Sequence, residues 1–360
     1  MRFSVTPVSA AIACSAMAGA YVGVLYTLPR SIRRLPRDHP THVRLLGGFR
    51  VVCCGVPRCD VGSRAVCYCA AAGCWLLAAA YPCCSQILAR FLLICIFCAM
   101  CPFVLALFYD HDDASMAFAD WLGIRWDGLV PAIIVPLLVT AMLFTGSLLA
   151  NALRLLNVSK QFHSNGMWFA VKNSALYYSV THDRLPSLRT YILGPLTEEF
   201  VFRSCMVPLL VCANFSVKQI VLGSPLMFGV AHLHHFLEYV RHGRSRKDAA
   251  LTVGFQLLYT SVFGAYATFI YLRTGHFAAI FVVHVFCNIM GFPDLAFFSP
   301  ENSLHPFRKA ILGAYLVGIY SFSRALYPLT DPSIYSSDLW NVTISAGTDQ
   351  DLVYRFTETL

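Results

Sequence analysis

Apolar positions in this 360-residue chain come in long unbroken runs, not in the narrow stripe that a helix on the surface of a soluble protein shows. Crossing a hydrocarbon core takes about 20 predominantly apolar residues in a helix. Runs of that order lie near 7–28, 66–85, 87–109, 129–156, 187–213, 217–237, 250–273, 276–292 and 308–327. The pattern predicts eight or nine spans, and helical ones, because lipid supplies no water to the open edge of a sheet. The expected fold is all-α, a polytopic transmembrane bundle of about eight spans enclosing a polar intramembrane cavity.

Composition sharpens this reading. Hydrophobic residues make up 57% and charged residues 13%, where a soluble protein carries roughly a quarter charged, so a soluble globular domain is excluded. The first run lacks a basic leading segment and a small-residue cleavage site, and Tyr21 to Leu28 extend it, so a retained anchor is expected.

The net charge of +8 is spread over connections and forms no single nucleic-acid-like patch. Arg30, Arg33, Arg34, Arg37, Arg44, Arg50, Arg58 and Arg64 make the first connection basic, while Asp110, Asp112, Asp113 and Asp120 make a later one acidic. The positive-inside tendency puts the first in the cytosol. The segments Lys160 to Arg189 and Arg241 to Lys247 are also basic and share a side, since two runs separate them. Three runs, however, separate the first basic connection from the second, so parity fails there. The run 87–109, interrupted by Arg90, is the candidate for a re-entrant or peripheral element.

Four parts are expected: membrane scaffold helices over 1–156, a polar linker or interfacial helix over 157–186, a catalytic transmembrane core over 187–327, and a tail over 328–360. The tail carries Asn341-Val342-Thr343, a glycan acceptor if lumenal, and span parity puts it there. Twelve of fifteen cysteines fall between Cys14 and Cys101. The Cys95, Cys98, Cys101 spacing has no histidine beside it and reads as small packing residues, not a metal centre.

Chemistry enters after residue 186. In "LGPLTEEFVFRS", residues 193–204, Gly194 and Pro195 are expected to open a helix, placing Glu198 and Glu199 near its start. Glu199 and Arg203 are four apart and face each other, which leaves Glu198 free. A charged side chain at mid-bilayer costs on the order of 3 kcal/mol and by default marks a functional site. A buried Glu-Arg clamp is the structural alternative for Glu199 and Arg203. In "MFGVAHLHHFLE" the imidazole of His232 shares a face with Phe228, His235 and Phe236. In "FVVHVFCNIMGFP" His284 and Asn288 share another, which alone could be polar glue between helices.

Together these supply hydrolysis by an activated water: Glu198 as base helped by His232, with His284 and Asn288 as oxyanion donors, each typically worth about 10²- to 10³-fold. No cofactor is expected. Glu198, His232 and His284 would also make a two-histidine, one-carboxylate zinc set, so zinc stays open, although there is no H-E-x-x-H and Tyr239 breaks the inverted form. Cys287, beside Asn288, is assigned to packing, and no G-x-S-x-G serine motif is present. The competing reading is a non-enzymatic transporter or scaffold using Glu198, Arg203 and His232 as an ion or proton relay.

At these positions the chain resembles the type II CaaX prenyl endopeptidases, the Ras-converting branch of the glutamic intramembrane proteases, over about residues 187–295. The family's E-E-x-x-x-R is matched by Glu198, Glu199 and Arg203, its F-x-x-x-H by Phe228 and His232, and its H-x-x-x-N by His284 and Asn288. The context "FGAYATFIYLRTGH" is similar to the eukaryotic branch. The resemblance implies removal of the last three residues from prenylated CaaX proteins such as small GTPases, in the endoplasmic reticulum membrane with access from the cytosol. It implies Glu198 and His232 as the water-activating pair, His284 and Asn288 as oxyanion donors, and Glu199, Arg203, Phe228 and His235 in support.

Overall fold

The computed structural model describes residues 5–26, 82–108, 117–161, 171–172, 174–182, 184–230, 234–241 and 243–346. Every regular element among them is helical. Among the described residues three helices are long and apolar enough to cross a membrane, or four if one bent pair is a single span.

Helices α1 (Pro7–Tyr26) and α2 (Pro82–Ala106) pack side by side. The run around 87–109 was the candidate for a re-entrant element, yet α2 runs as one helix through it. The break falls elsewhere. After the short α3 (Phe118–Trp121), helices α4 (Leu129–Leu143) and α5 (Thr145–Gln161) meet at 79°. The single run read over 129–156 is therefore one apolar helix followed by a second that turns away.

Local chemistry explains the bend. Phe144 leaves helical geometry at φ −95° and ψ 10°, and the Thr145 hydroxyl donates back to the Met142 carbonyl at 2.6 Å. Ser147 and Tyr315 share a 2.8 Å hydroxyl bond, and the Phe144 ring meets Phe286 edge-on at 5.3 Å. In α5, Asn151 and Arg154 alternate with Leu149 and Leu153, which pack on a small core of Ala150, Phe297, Leu304 and Ile311. The first basic connection and, but for Pro82 to Ser85, the run read over 66–85 lie outside the described residues.

From Arg184 to Cys212 the backbone stays helical without a break: α6 (Ala175–His182) precedes α7 (Arg184–Leu188), a π-helical turn Arg189–Leu193, α8 (Gly194–Glu199), a second π-helical turn Phe200–Cys205, and α9 (Met206–Cys212). Gly194 and Pro195 thus do not open a helix, and Glu198 and Glu199 sit in its middle, away from any N-terminal dipole. Proline lacks the N–H for an i→i−4 bond and crowds the carbonyl one turn back. The wide turn just before Pro195 takes up that clash. Each π turn carries about one extra residue and so rotates everything after it by roughly 100° relative to a plain α-helix.

The remaining helices are α10 (Val217–Val230), α11 (His234–Arg241), α12 (Arg246–Thr274), α13 (Phe277–Met290), α14 (Arg308–Leu329) and α15 (Leu339–Ala346). The Ser245 hydroxyl caps α12 by accepting from the Asp248 N–H at 3.1 Å. Gly275 ends it at φ +63°, a left-handed conformation natural to glycine. This tight turn lets Phe277 start α13 antiparallel to α12, its N–H donating to the Gly123 carbonyl at 2.9 Å.

Two ends of the bundle differ in chemistry. At one, Arg273 is buried beneath the rings of Tyr327 and Trp340 (4.3 and 4.8 Å) and donates to the Tyr327 carbonyl, and Arg125 donates to the Ser336 carbonyl. The other carries the exposed Arg244, Arg246 and Lys247, and Arg154 paired with Asp294. The Asp294 carboxyl lies below the ordinary carboxylate range because the Ala296 N–H, and then Arg154, favour its charged form. Between these ends Leu222, Leu226, Leu251, Leu258, Val262, Leu316 and Tyr320 point outward, as a lipid-facing surface would have them.

Helices α10 and α12 approach closely where Gly264 faces Pro225. A Cβ added to Gly264 would stand 2.9 Å from the Pro225 Cβ and 3.1 Å from Arg203 Nη2, whereas one on Gly254 would meet nothing within 4 Å. Gly264→Val should cost roughly 1–3 kcal/mol by overpacking, read as a lower thermal unfolding midpoint in detergent. Gly254→Ala should leave the midpoint unchanged or raised, and equal midpoints for the two variants would refute this packing account.

Candidate active site

The helix from Arg184 to Cys212 presents Glu198 and Glu199 to different surroundings. Consecutive helical residues diverge by about 100°, so one glutamate turns to the core and the other to its margin. The Glu199 side chain is 0% exposed and that of Glu198 25%. Glu199 Oε1 accepts from Arg203 Nη1 at 3.0 Å, and Arg203 is 1% exposed. The sequence-predicted pairing is present.

The rest of the bundle closes around that pair. Arg203 stacks over the Phe228 ring of α10 at 4.9 Å, Phe228 meets Phe202 at 4.8 Å, and Gly264 of α12 leaves room for the guanidinium. From α13, His284 Nδ1 lies 2.6 Å from Glu199 Oε1 while its Nε2 lies 3.9 Å from Glu198 Oε2. Glu199 Oε2 and Arg203 Nη2 are buried without hydrogen-bond partners among the described residues. Glu198 makes no hydrogen bond among the described residues, and its oxygens are left for a proton from elsewhere.

Asn288 sits one turn beyond His284 on the same face, and its amide donates to the Thr190 carbonyl at 2.8 Å. Thr190 belongs to the first π turn. Both α13 side chains thus meet the glutamate-bearing helix, His284 at the glutamates and Asn288 two turns before them. His232 lies outside the described residues, so its distance to Glu198 is not part of this geometry. His235, in α11, is paired with Glu238 at 3.0 Å.

Helices α1 and α2 reach the same helix. Tyr21 and Thr197 share a hydroxyl bond at 3.1 Å, and the Cys98 thiol points at the Thr197 carbonyl at 3.9 Å. Cys98 and Cys101 are buried packing residues while Cys95 is exposed, and Cys287 is likewise a buried free thiol. No three His, Cys, Asp or Glu residues among those described form a group able to hold a metal ion; the third member of the conceivable zinc set, His232, lies outside them.

Three contributors carried no signal in residue type or spacing. The Phe263 ring packs at 4.7 Å on the His284 imidazole, Gly264 makes room for Arg203, and Thr190 offers its backbone carbonyl to Asn288. Phe263 and Gly264 open the stretch "FGAYATFIYLRTGH", which only the resemblance drew attention to.

The family described as Type II CAAX prenyl endopeptidase Rce1-like matches residues 180–290, the segment that carries all of these groups. A protein named CAAX prenyl protease 2 from Arabidopsis thaliana is 40% identical over 223 residues, 59% of this chain and 68% of that protein. A protein of the same name from Homo sapiens is 37% identical over 60% of this chain and 63% of its own length, and one from Caenorhabditis elegans is 30% identical over 62% and 79%. The chain belongs to the type II CAAX prenyl endopeptidase family. No solved structure matches it. Membership in a protease family favours the hydrolytic reading of these groups over a non-enzymatic relay.

The geometry separates an enclosed, paired acid from a partly exposed one that makes no hydrogen bond among the described residues. Arg203→Met leaves Glu199 as an uncompensated buried charge, which should destabilise by about 3–5 kcal/mol. Glu198→Gln removes a partly exposed group without a hydrogen bond among the described residues and should barely move the unfolding midpoint. Comparing the two midpoints in detergent checks this, and similar losses would mean that Glu198 is structural too.

Proposed function

We propose that this chain is an intramembrane endopeptidase that removes the C-terminal aaX tripeptide from prenylated CaaX proteins, small GTPases among them. What carries the reading is the contrast between adjacent acids: Glu199 Oε1 is shared by Arg203 and His284, while Glu198, 3.9 Å from His284 Nε2, makes no hydrogen bond among the described residues at the edge of the same cluster.

In this mechanism Glu198, with His232, takes a proton from water as its oxygen attacks the carbonyl after the prenylated cysteine. The tetrahedral oxyanion accepts from His284 and Asn288, and the proton passes to the departing amine. Asn288 can serve although one N–H is given to Thr190, because a carboxamide has two. The prenyl chain, contributing about 0.8 kcal/mol per buried CH₂, enters between helices from the bilayer and brings the adjacent peptide bond to a polar cavity.

The reading has eight crossings, α1, α2, α4, the α8 to α9 segment, α10, α12, α13 and α14, of which α1, α12 and α14 are by themselves long and apolar enough to cross. Asn288, followed by Phe292 packed on Phe255 and Tyr259, lies toward the end that carries Arg244, Arg246 and Lys247, and the positive-inside tendency opens the site to the cytosol from that end, in the endoplasmic reticulum membrane. The opposite end then faces the lumen. Asn341 is exposed there, while the Thr343 hydroxyl is buried against the Leu339 carbonyl at 2.7 Å; a glycan would have to be added before α15 packs.

Purified protein given a farnesylated CaaX peptide should release the tripeptide, and Glu198→Gln should lower release by about 10²- to 10⁴-fold. Undiminished release would remove the glutamate base, and equal turnover of the unprenylated peptide would remove the lipid from the recognition. Stoichiometric zinc lost together with activity on chelation would replace this mechanism with a metal-assisted one. A C-terminal epitope tag should resist added protease in sealed microsomes and be digested once they are permeabilised; digestion in sealed vesicles would invert the orientation.

A further inference from the structure

Glu199 does more than neutralise Arg203. Its Oε1 accepts twice, from Arg203 Nη1 at 3.0 Å and from His284 Nδ1 at 2.6 Å, in surroundings where both Glu199 and Arg203 are almost wholly buried. An ionised carboxylate can only accept, so Nδ1 must carry the hydrogen of that bond. The contact is short and charge-assisted, which makes it strong as well as directional. Phe263 packs on the ring at 4.7 Å, and the side chain is 8% exposed, so the imidazole has little freedom to turn over.

We infer that Glu199 is the positioning residue for His284, fixing its imidazole with the hydrogen on Nδ1 and Nε2 turned toward Glu198. The nitrogen facing the reacting groups is then set by a residue that never touches them, as a carboxylate behind a histidine sets the tautomer in other hydrolases. A chemical consequence follows. In its neutral form His284 can only accept at Nε2; it donates to an oxyanion there only when doubly protonated.

The activity arm of the test rests on the peptidase reading, and the spectroscopic arm does not. Apolar replacement of a whole buried ion pair is often tolerated, so the double variant Glu199→Leu with Arg203→Met removes the orienting acceptor without leaving a lone buried charge. A purely structural Glu199 predicts kcat within about threefold of wild type for that folded variant, a result that overturns the inference. Orientation predicts a kcat loss of about 10²- to 10⁴-fold with little change in KM. Glu199→Gln with Arg203→Met keeps an acceptor oxygen for Nδ1 and should recover most of the loss.

Nitrogen NMR of histidine-labelled wild-type protein in detergent, with the His284 signal assigned by its absence in His284→Gln, reads the tautomer directly. Neutral His284 should carry its proton on Nδ1, and a proton on Nε2 would overturn the inference whatever the peptide assay gives. A wild-type protein that fails to cleave the peptide but shows the Nδ1 tautomer would refute the proposed reaction and leave the positioning intact.

Discussion

The buried bond between Glu199 and Arg203 is the constraint on which this bundle turns. Neither charge can be left alone in a dry interior without a cost of several kcal/mol, so the helices around them must keep their register. Gly264 of α12 leaves space for the guanidinium, Phe228 of α10 covers it, and His284 of α13 reaches the shared oxygen. Three helices distant in sequence are thereby fixed against one turn of a fourth. The scaffold helices α1 and α2 brace that turn through Tyr21 and Cys98, both aimed at Thr197.

What could be read from the chain follows from which interactions are local. Glu199 with Arg203, and His284 with Asn288, are one turn apart, so helical periodicity alone puts each pair on one face. The apolar runs likewise located most helices, because the requirement for internal hydrogen bonding in lipid leaves a helix as the only open choice. The bend at Phe144 was hidden because an apolar helix and an apolar bend look alike in composition; hydroxyl bonds to Met142 and Tyr315 make the difference, and the second is 168 residues away. Gly194 and Pro195 misled for a related reason. Proline does mark the usual helix start, but here a π turn absorbs it, and no residue type announces a π turn.

Charge distribution shows the same division. Basic residues at one end of the bundle were visible as clusters, whereas the buried Arg273 at the other end was one arginine in an apolar run. Its partners come from the chain's last segments, the rings of Tyr327 and Trp340 and the carbonyl of Tyr327. Asp331 also stands 3.9 Å from its Nη2, so two aromatic faces, a carbonyl and a half-exposed carboxylate share its electrostatic compensation.

The two glutamates explain why neighbouring acids are used where one would seem to suffice. On a helix they diverge by about 100°, enough for one to be enclosed while the other remains at the margin. The enclosed acid has its charge matched by Arg203 and shares the same oxygen with His284 Nδ1. The marginal acid is 25% exposed and makes no hydrogen bond among the described residues. A single carboxylate doing both tasks would be quenched by the arginine that holds the helices together; under the proposed mechanism, two in sequence let assembly and reactivity be separated by one residue.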